Sequence, residues 1–149
     1  MLSIIVAGDI QGSAPRGHMP RTDIIIVEDD PLVGEISRDI LTGAGYAVKL
    51  VPDPREALAA IKKALPKLVI TDIMMPGITG LDLCKLVRAE PSLAQVQLMV
   101  MSAKSFEVEK RRAQMFGAAY FLPKPFTEQC LLKAVSDLLH GNIGHSQPH

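Results

Sequence analysis

The chain has 149 residues, 48% apolar and 21% charged, a length that suits one domain with modest tails and a proper core. Lys plus Arg and Asp plus Glu balance at 16 each, so no long-range field announces a nucleic-acid or membrane-surface partner. No apolar run approaches a membrane span, and the opening MLSIIVAGDI lacks the basic flank of a secretory signal.

Residues 1–21 do not share the regular pattern of the remaining chain. Ile4 to Ala7 is strand-like, but GSAPRGHMPR after it is a Gly/Pro/Ser linker. Gly17-His18-Met19 resembles a cloning junction with a natural start at Met19. The segment therefore reads as an N-terminal extension, residues 22–141 form the expected domain, and residues 142–149 form a polar C-terminal tail.

Ile24 to Val27 is a continuous apolar run ending in Glu28-Asp29-Asp30. Asp30 and Pro31 supply an N-cap and a first helical residue, and Val33, Ile36, Ile40 and Leu41 give that helix its apolar face. Gly43 and Gly45 stop it. Ala47 to Val51 reads as a second strand, with Lys49 in its middle suggesting a sheet edge. Asp53-Pro54-Arg55-Glu56 has the pattern of a capping box opening a helix through Ala57, Leu58, Ile61 and Leu65, and Pro66 ends it.

Leu68 to Thr71 is a buried-strand pattern that runs straight into Asp72 and then a Met-Pro-Gly turn. Thr79 to Asp82 caps a third helix carrying Leu83, Cys84, Leu86 and Val87. Gln97 to Ser102 is a fourth strand, and a fourth helix runs roughly from Phe106 to Phe116, ending at Gly117. Ala119 to Leu122 is a fifth strand closed by Pro123-Lys124-Pro125, whose prolines point to the opposite edge. Thr127 caps a last helix with Leu131, Leu132, Val135, Leu138 and Leu139 inward. Cys84 and Cys130 both lie in apolar helical patterns and read as buried free thiols in a reducing compartment. The four histidines fall in or beside the tails and carry no assigned role.

Five strand–helix units with short connections imply an α/β fold: a doubly wound five-stranded parallel sheet, order 2-1-3-4-5, of flavodoxin-like (βα)5 type. Its ligand crevice lies at the switch point between strands one and three. Glu28 and Asp29 end strand one and Asp72 ends strand three, so three acids meet there. At an effective dielectric of about 20, each like-charge pair at ~4 Å costs roughly 4 kcal/mol. Such a cluster holds either a proton or a cation. An all-oxygen set with room for water suits Mg²⁺, whereas zinc would want nitrogen or sulfur. Ser102 and Lys124 end the neighbouring strands, so a hydroxyl, an ammonium and a metal converge on one carboxylate. That is a receptacle for a phosphoryl group.

The motifs IIIVEDDP, LVITDIMMPGITG, LMVMSA and FLPKPF, in this order and spacing, resemble the response-regulator receiver family from about Asp23 to Gly141. The resemblance implies that Asp72 is the phosphoacceptor and that Glu28, Asp29, Asp72 and the Met74 backbone carbonyl hold Mg²⁺. It implies Ser102 as the switch hydroxyl, Lys124 on the phosphoryl group, and a cis Lys124-Pro125 peptide. The switch aromatic three residues before the lysine is Phe121, where tyrosine is frequent; Tyr120 should point to the opposite face. The phosphoryl donor would be a sensor histidine kinase or a phosphotransfer protein. The remodelled surface would be the fourth helix, fifth strand and fifth helix, acting on a downstream partner or an output domain.

Homodimerisation through that surface is left open. Met74 and Lys104, two residues beyond Asp72 and Ser102, lie near where a hydrolytic water would approach. A thioether offers that water no base, which implies slow self-dephosphorylation. The chain would catalyse its own phosphorylation and dephosphorylation without being a dedicated enzyme. Nothing after the last helix resembles a nucleic-acid-binding or catalytic module, so the chain reads as a stand-alone receiver or a piece of a larger regulator or hybrid kinase. A cytoplasmic location is expected. Two other classes compete with this reading: a Mg²⁺-dependent aspartyl phosphohydrolase of the haloacid-dehalogenase kind, which wants an acid where Met74 stands, and a receiver-shaped binding module that no longer takes phosphate.

Overall fold

Apolar runs too short for helices become the strands of a single parallel sheet in the computed structural model, which describes residues 21–103 and 107–141. The strands are β1 (Ile24–Val27), β2 (Val48–Val51), β3 (Leu68–Asp72), β4 (Gln97–Ser102) and β5 (Tyr120–Pro123). Their order is β2-β1-β3-β4-β5, all parallel, as the sequence predicts. Between them lie α1 (Pro31–Gly43), α2 (Ala57–Ala64), α3 (Gly80–Arg88), α4 (Glu107–Met115) and α5 (Glu128–Leu139).

Alternation along the central strands divides the core in two. Ile25, Val27, Val69, Leu98 and Val100 face one side with Ala57, Ile61, Leu83, Cys84, Val87 and Ala113 from α2, α3 and α4. Ile24, Ile26, Leu68, Ile70, Met99 and Met101 face the other with Leu41, Leu131, Ala134, Val135 and Leu138 from α1 and α5. A strand buried on both faces has no room for polar residues until it ends. Each completely buried Ile or Leu contributes roughly 1.5–3 kcal/mol from apolar surface removed from water. Lys49 is exposed on β2, which is indeed an edge strand.

Local chemistry sets the ends of the helices. Asp30 caps α1 by accepting from the backbone N–H groups of Leu32 and Val33, with Pro31 in the first helical turn. Thr79 and Asp82 form a reciprocal capping box on α3. Thr127 accepts from the Cys130 N–H at the start of α5.

Several expectations change. Asp53 caps a 3₁₀ turn, Pro54–Glu56, before α2, and its carboxylate takes the Arg55 N–H and guanidinium rather than sharing a box with Glu56. Leu65 is not on the buried face of α2 but is its left-handed C-cap at φ 50°, and is exposed. The buried face of α1 is Gly34, Ser37 and Leu41, while Ile36 is 48% exposed. Leu86 is also exposed. Phe106 and Lys104 lie outside the described residues, as do residues 1–20 and the tail from Asn142 onward.

The two thiols also part company. Cys84 is buried, and burial pushes its pKa up to about 12, with nearby Arg88 opposing the shift. Cys130 is exposed, because it sits in the first turn of α5 on the face turned from the sheet. An aromatic disulfide reagent should therefore modify Cys130 within the native protein and reach Cys84 only on unfolding. Equal rates at both thiols, read by mass after peptide mapping, would contradict this placement.

Candidate phosphoryl-acceptor site

The crevice is built where β1 and β3 deliver their last residues side by side. Val27 pairs with Thr71, so Glu28 and Asp72 emerge together at the carboxyl edge. Asp72 in turn pairs with Met101 of β4, one residue before Ser102, and Ser102 pairs with Pro123 of β5, one residue before Lys124. The register alone thus carries all five predicted side chains to one rim.

Glu28, Asp29 and Asp72 each offer a carboxylate oxygen, and these oxygens all lie within 4.8 Å of one another. Glu28 is 1% exposed and Asp72 7%, whereas Asp29 faces solvent. Lys124 Nζ lies 2.9 Å from Glu28 Oε1 and 3.4 Å from Asp72 Oδ1, bridging the two buried acids. The other Glu28 oxygen, Oε2, accepts from the Asp30 N–H at 3.1 Å. The Lys124-Pro125 peptide is cis, as the resemblance implies, and the Lys124 N–H donates to the Ser102 carbonyl. Ser102 is almost fully buried.

Phe121 is buried among the α3 and α4 side of the core, and Tyr120 packs against the opposite layer, as alternation requires. Met74 is 54% exposed beside the crevice. Its backbone N–H acts on Asp72 in the direction of a lower pKa.

Two further residues were not visible as site residues. The Thr71 hydroxyl donates to the Asp72 carbonyl at 3.0 Å. Gly80, at the start of α3, is pressed against the same peptide: a Cβ there would collide with the Asp72 carbonyl oxygen. Its N–H donates to the Ile73 carbonyl at 3.0 Å. The only sequence signal for Gly80 was its place after the cap Thr79; Thr71 looked like any strand former.

The electrostatics follow from burial. Desolvation raises the pKa of Asp72, against the lowering effect of the Lys124 charge and hydrogen bond. Desolvation likewise raises that of Glu28, again opposed by Lys124 and the Asp30 N–H. For Lys124 burial works against the charged form, but the Glu28 hydrogen bond and the Asp72 charge outweigh it, and the pKa is raised. An all-oxygen acidic set, one member open to water, fits a hard divalent cation of the Mg²⁺ type and would not suit zinc.

A carboxyl with a raised folded pKa contributes stability that is complete below its unfolded pKa and lost as pH rises through the folded value. Ionised Asp72 is thus a cost to the cation-free fold at neutral pH. Asp72→Asn should raise Tm at pH 7 in chelator, each kcal/mol of relieved desolvation cost reading as about 2–4 °C in a chain of this size. The gain should shrink as pH falls toward the ordinary carboxylate range, and a variant less stable than the parent at pH 7 would contradict the sign.

The chain is similar to known proteins in sequence and fold. A profile of the response regulator receiver domain matches residues 24–136. The DNA-binding response regulator MtrA of Mycolicibacterium smegmatis is 32% identical over 122 residues, covering 82% of this chain and 52% of that protein. The chain therefore spans about half the length of this curated relative. The chemotaxis protein CheY4 of Vibrio cholerae superposes with a TM-score of 0.75 at 28% identity, covering 80% of this chain and 99% of CheY4. The receiver domain of the sensor histidine kinase PA1611 from Pseudomonas aeruginosa, with a magnesium ion coordinated in its active-site cleft, shares the fold at TM-score 0.74 and 21% identity, over 81% of this chain and 99% of that one. The chain belongs to the response regulator receiver domain family of two-component signalling.

Proposed function

We propose that Asp72 accepts a phosphoryl group from a phosphohistidine, with Glu28, Asp29, Asp72 and the Met74 carbonyl holding Mg²⁺, and that Ser102 and Lys124 receive the phosphoryl oxygens. The observation that carries this reading is the Lys124 ammonium set between two buried carboxylates at the carboxyl edge of the sheet.

The Asp72 carboxylate attacks phosphorus in line; the new bond is O–P, the broken bond is the donor's N–P, and the imidazole leaves with a proton from solvent. Lys124 favours the ionised form of Asp72 that this attack needs and offers its ammonium to the oxygens on phosphorus. When bound, Mg²⁺ would supply positive charge to the oxygens of the transferring group. The Thr71 hydroxyl and Gly80 hold the Asp72 peptide, limiting the motion of the nucleophile.

The product carries extra charge and acceptor oxygens beside Ser102. The hydroxyl is drawn toward them, and Phe121 adjusts in the space behind it. Phe121 has no hydroxyl to bond a partner, so its equilibrium is set by packing. The face altered is α4, β5 and α5, which would engage a downstream protein, an output domain or a second copy of the chain. Direct nucleic-acid contact is not part of this reading; DNA binding belongs to the relative MtrA. Among the described residues no helix is long and apolar enough to cross a membrane. A cytoplasmic place follows from the phosphohistidine donor.

Incubation with Mg²⁺ and acetyl phosphate should add one phosphate by intact mass, and Asp72→Ala or chelation should abolish it. Steady release of phosphate would mark a phosphohydrolase instead, and an unchanged mass a binding module without phosphotransfer. Because Met74 presents a thioether where an acid or amide could orient water, the phosphorylated chain should persist for minutes or longer without a phosphatase. A half-life of seconds would sink that inference.

A further inference from the structure

The turn after β3 opens with two methionines that the fold treats differently. Met75 is 7% exposed and belongs to the core layer on the side of α2, α3 and α4. Met74 is 54% exposed, so its side chain gives that core little. It stands at the crevice all the same. It follows Asp72 by two residues, and its N–H is close enough to act on the Asp72 carboxyl. A methionine side chain is unbranched and adaptable, and can lie across neighbouring groups.

Burial also decides which methionines a dissolved oxidant can reach. Met99 and Met101 on β4 are fully buried. Met115 is 77% exposed, but it closes α4, which runs from the crevice rim back to the rim where β5 begins. Among the described methionines, then, only Met74 is both open to a peroxide and beside Asp72. Oxidation forms an S–O bond as the O–O bond of hydrogen peroxide breaks; sulfur loses two electrons and the peroxide is reduced to water. The product is polar, and its oxygen is a strong hydrogen-bond acceptor where the thioether was a weak one.

We propose that Met74 is a peroxide-sensitive modification site whose sulfoxide oxygen orients the water that hydrolyses phosphorylated Asp72. The inference rests on Asp72 being the phosphoacceptor. In that step the water oxygen bonds phosphorus, the Asp72 O–P bond breaks, and the carboxylate leaves. The protons of the water pass to phosphate and solvent; the sulfoxide accepts a hydrogen bond from the water and is not consumed. Oxidation thus shortens the life of the phosphorylated state without touching the acids or Lys124. A dithiol reductant reverses it, yielding the thioether, a disulfide and water.

The test uses the whole chain carrying Cys130→Ser, so that the exposed thiol does not react. Dilute hydrogen peroxide should add oxygen at Met74 and Met115, and not at Met75, Met99 or Met101, by peptide mapping. Treated and untreated chains are then phosphorylated with Mg²⁺ and acetyl phosphate, the donor is removed, and loss of phosphate is followed by intact mass. Treatment should shorten the half-life by roughly 2- to 10-fold, the range of one net hydrogen bond. Met115→Leu should keep that acceleration and Met74→Leu should abolish it. Met74→Gln, which carries a permanent carbonyl, should reproduce it without peroxide, and methionine sulfoxide reductase with dithiothreitol should restore the long half-life. Equal half-lives before and after treatment, or an acceleration that survives Met74→Leu, would overturn the proposal while leaving Asp72 as the acceptor. Failure of even the untreated chain to take phosphate would instead overturn the reading of Asp72, and this proposal with it.

Discussion

Lys124 sits between Glu28 and Asp72 at distances that make it the counter-charge of the crevice. Two carboxylates buried this deeply, with a third within 4.8 Å, would otherwise favour protonation and lose the negative field that a divalent cation and a nucleophile both need. The ammonium moderates the repulsion without ending it, since both buried acids still have raised pKa values through desolvation. The site is therefore under electrostatic load that a divalent cation would relieve.

The fold serves this arrangement through register. Parallel strands of four to six residues, buried on both faces, end on one rim, and pairing offsets of a single residue decide which side chains converge. The bond from the Lys124 N–H to the Ser102 carbonyl ties the last strand's exit to β4. Behind the Asp72 side chain, the Thr71 hydroxyl and the side-chain-free Gly80 let α3 begin directly against the Asp72 carbonyl. A site made this way is rigid at its back and open at its front, where Asp29 and Met74 meet solvent.

Sheet order, the caps of α1, α3 and α5 and the meeting of Glu28, Asp29, Asp72, Ser102 and Lys124 at one rim were legible in the linear chain, because each follows from local chemistry plus the handedness of parallel crossovers. An apolar run that ends in an acid marks a strand and its functional end together; Asp30-Pro31, Thr79 with Asp82, and Thr127 announce helix starts through hydrogen bonds spanning three residues. These signals need no knowledge of distant neighbours.

What required the tertiary structure was everything decided by a partner far along the chain. Cys130 and Ile36 sit in apolar patterns yet face water, since helical periodicity locates a stripe only to within a residue or two and docking on the sheet selects which part is covered. The bridge from Lys124 to Glu28 joins residues 96 positions apart. The pressure of Gly80 on Asp72 and the buried Ser37 hydroxyl, which has no hydrogen-bond partner among the described residues, arise only when elements pack. Local sequence chemistry determined which groups reach the rim; three-dimensional packing determined which of them are dry, which touch, and which are left unsatisfied, because desolvation and contact are properties of neighbours in space.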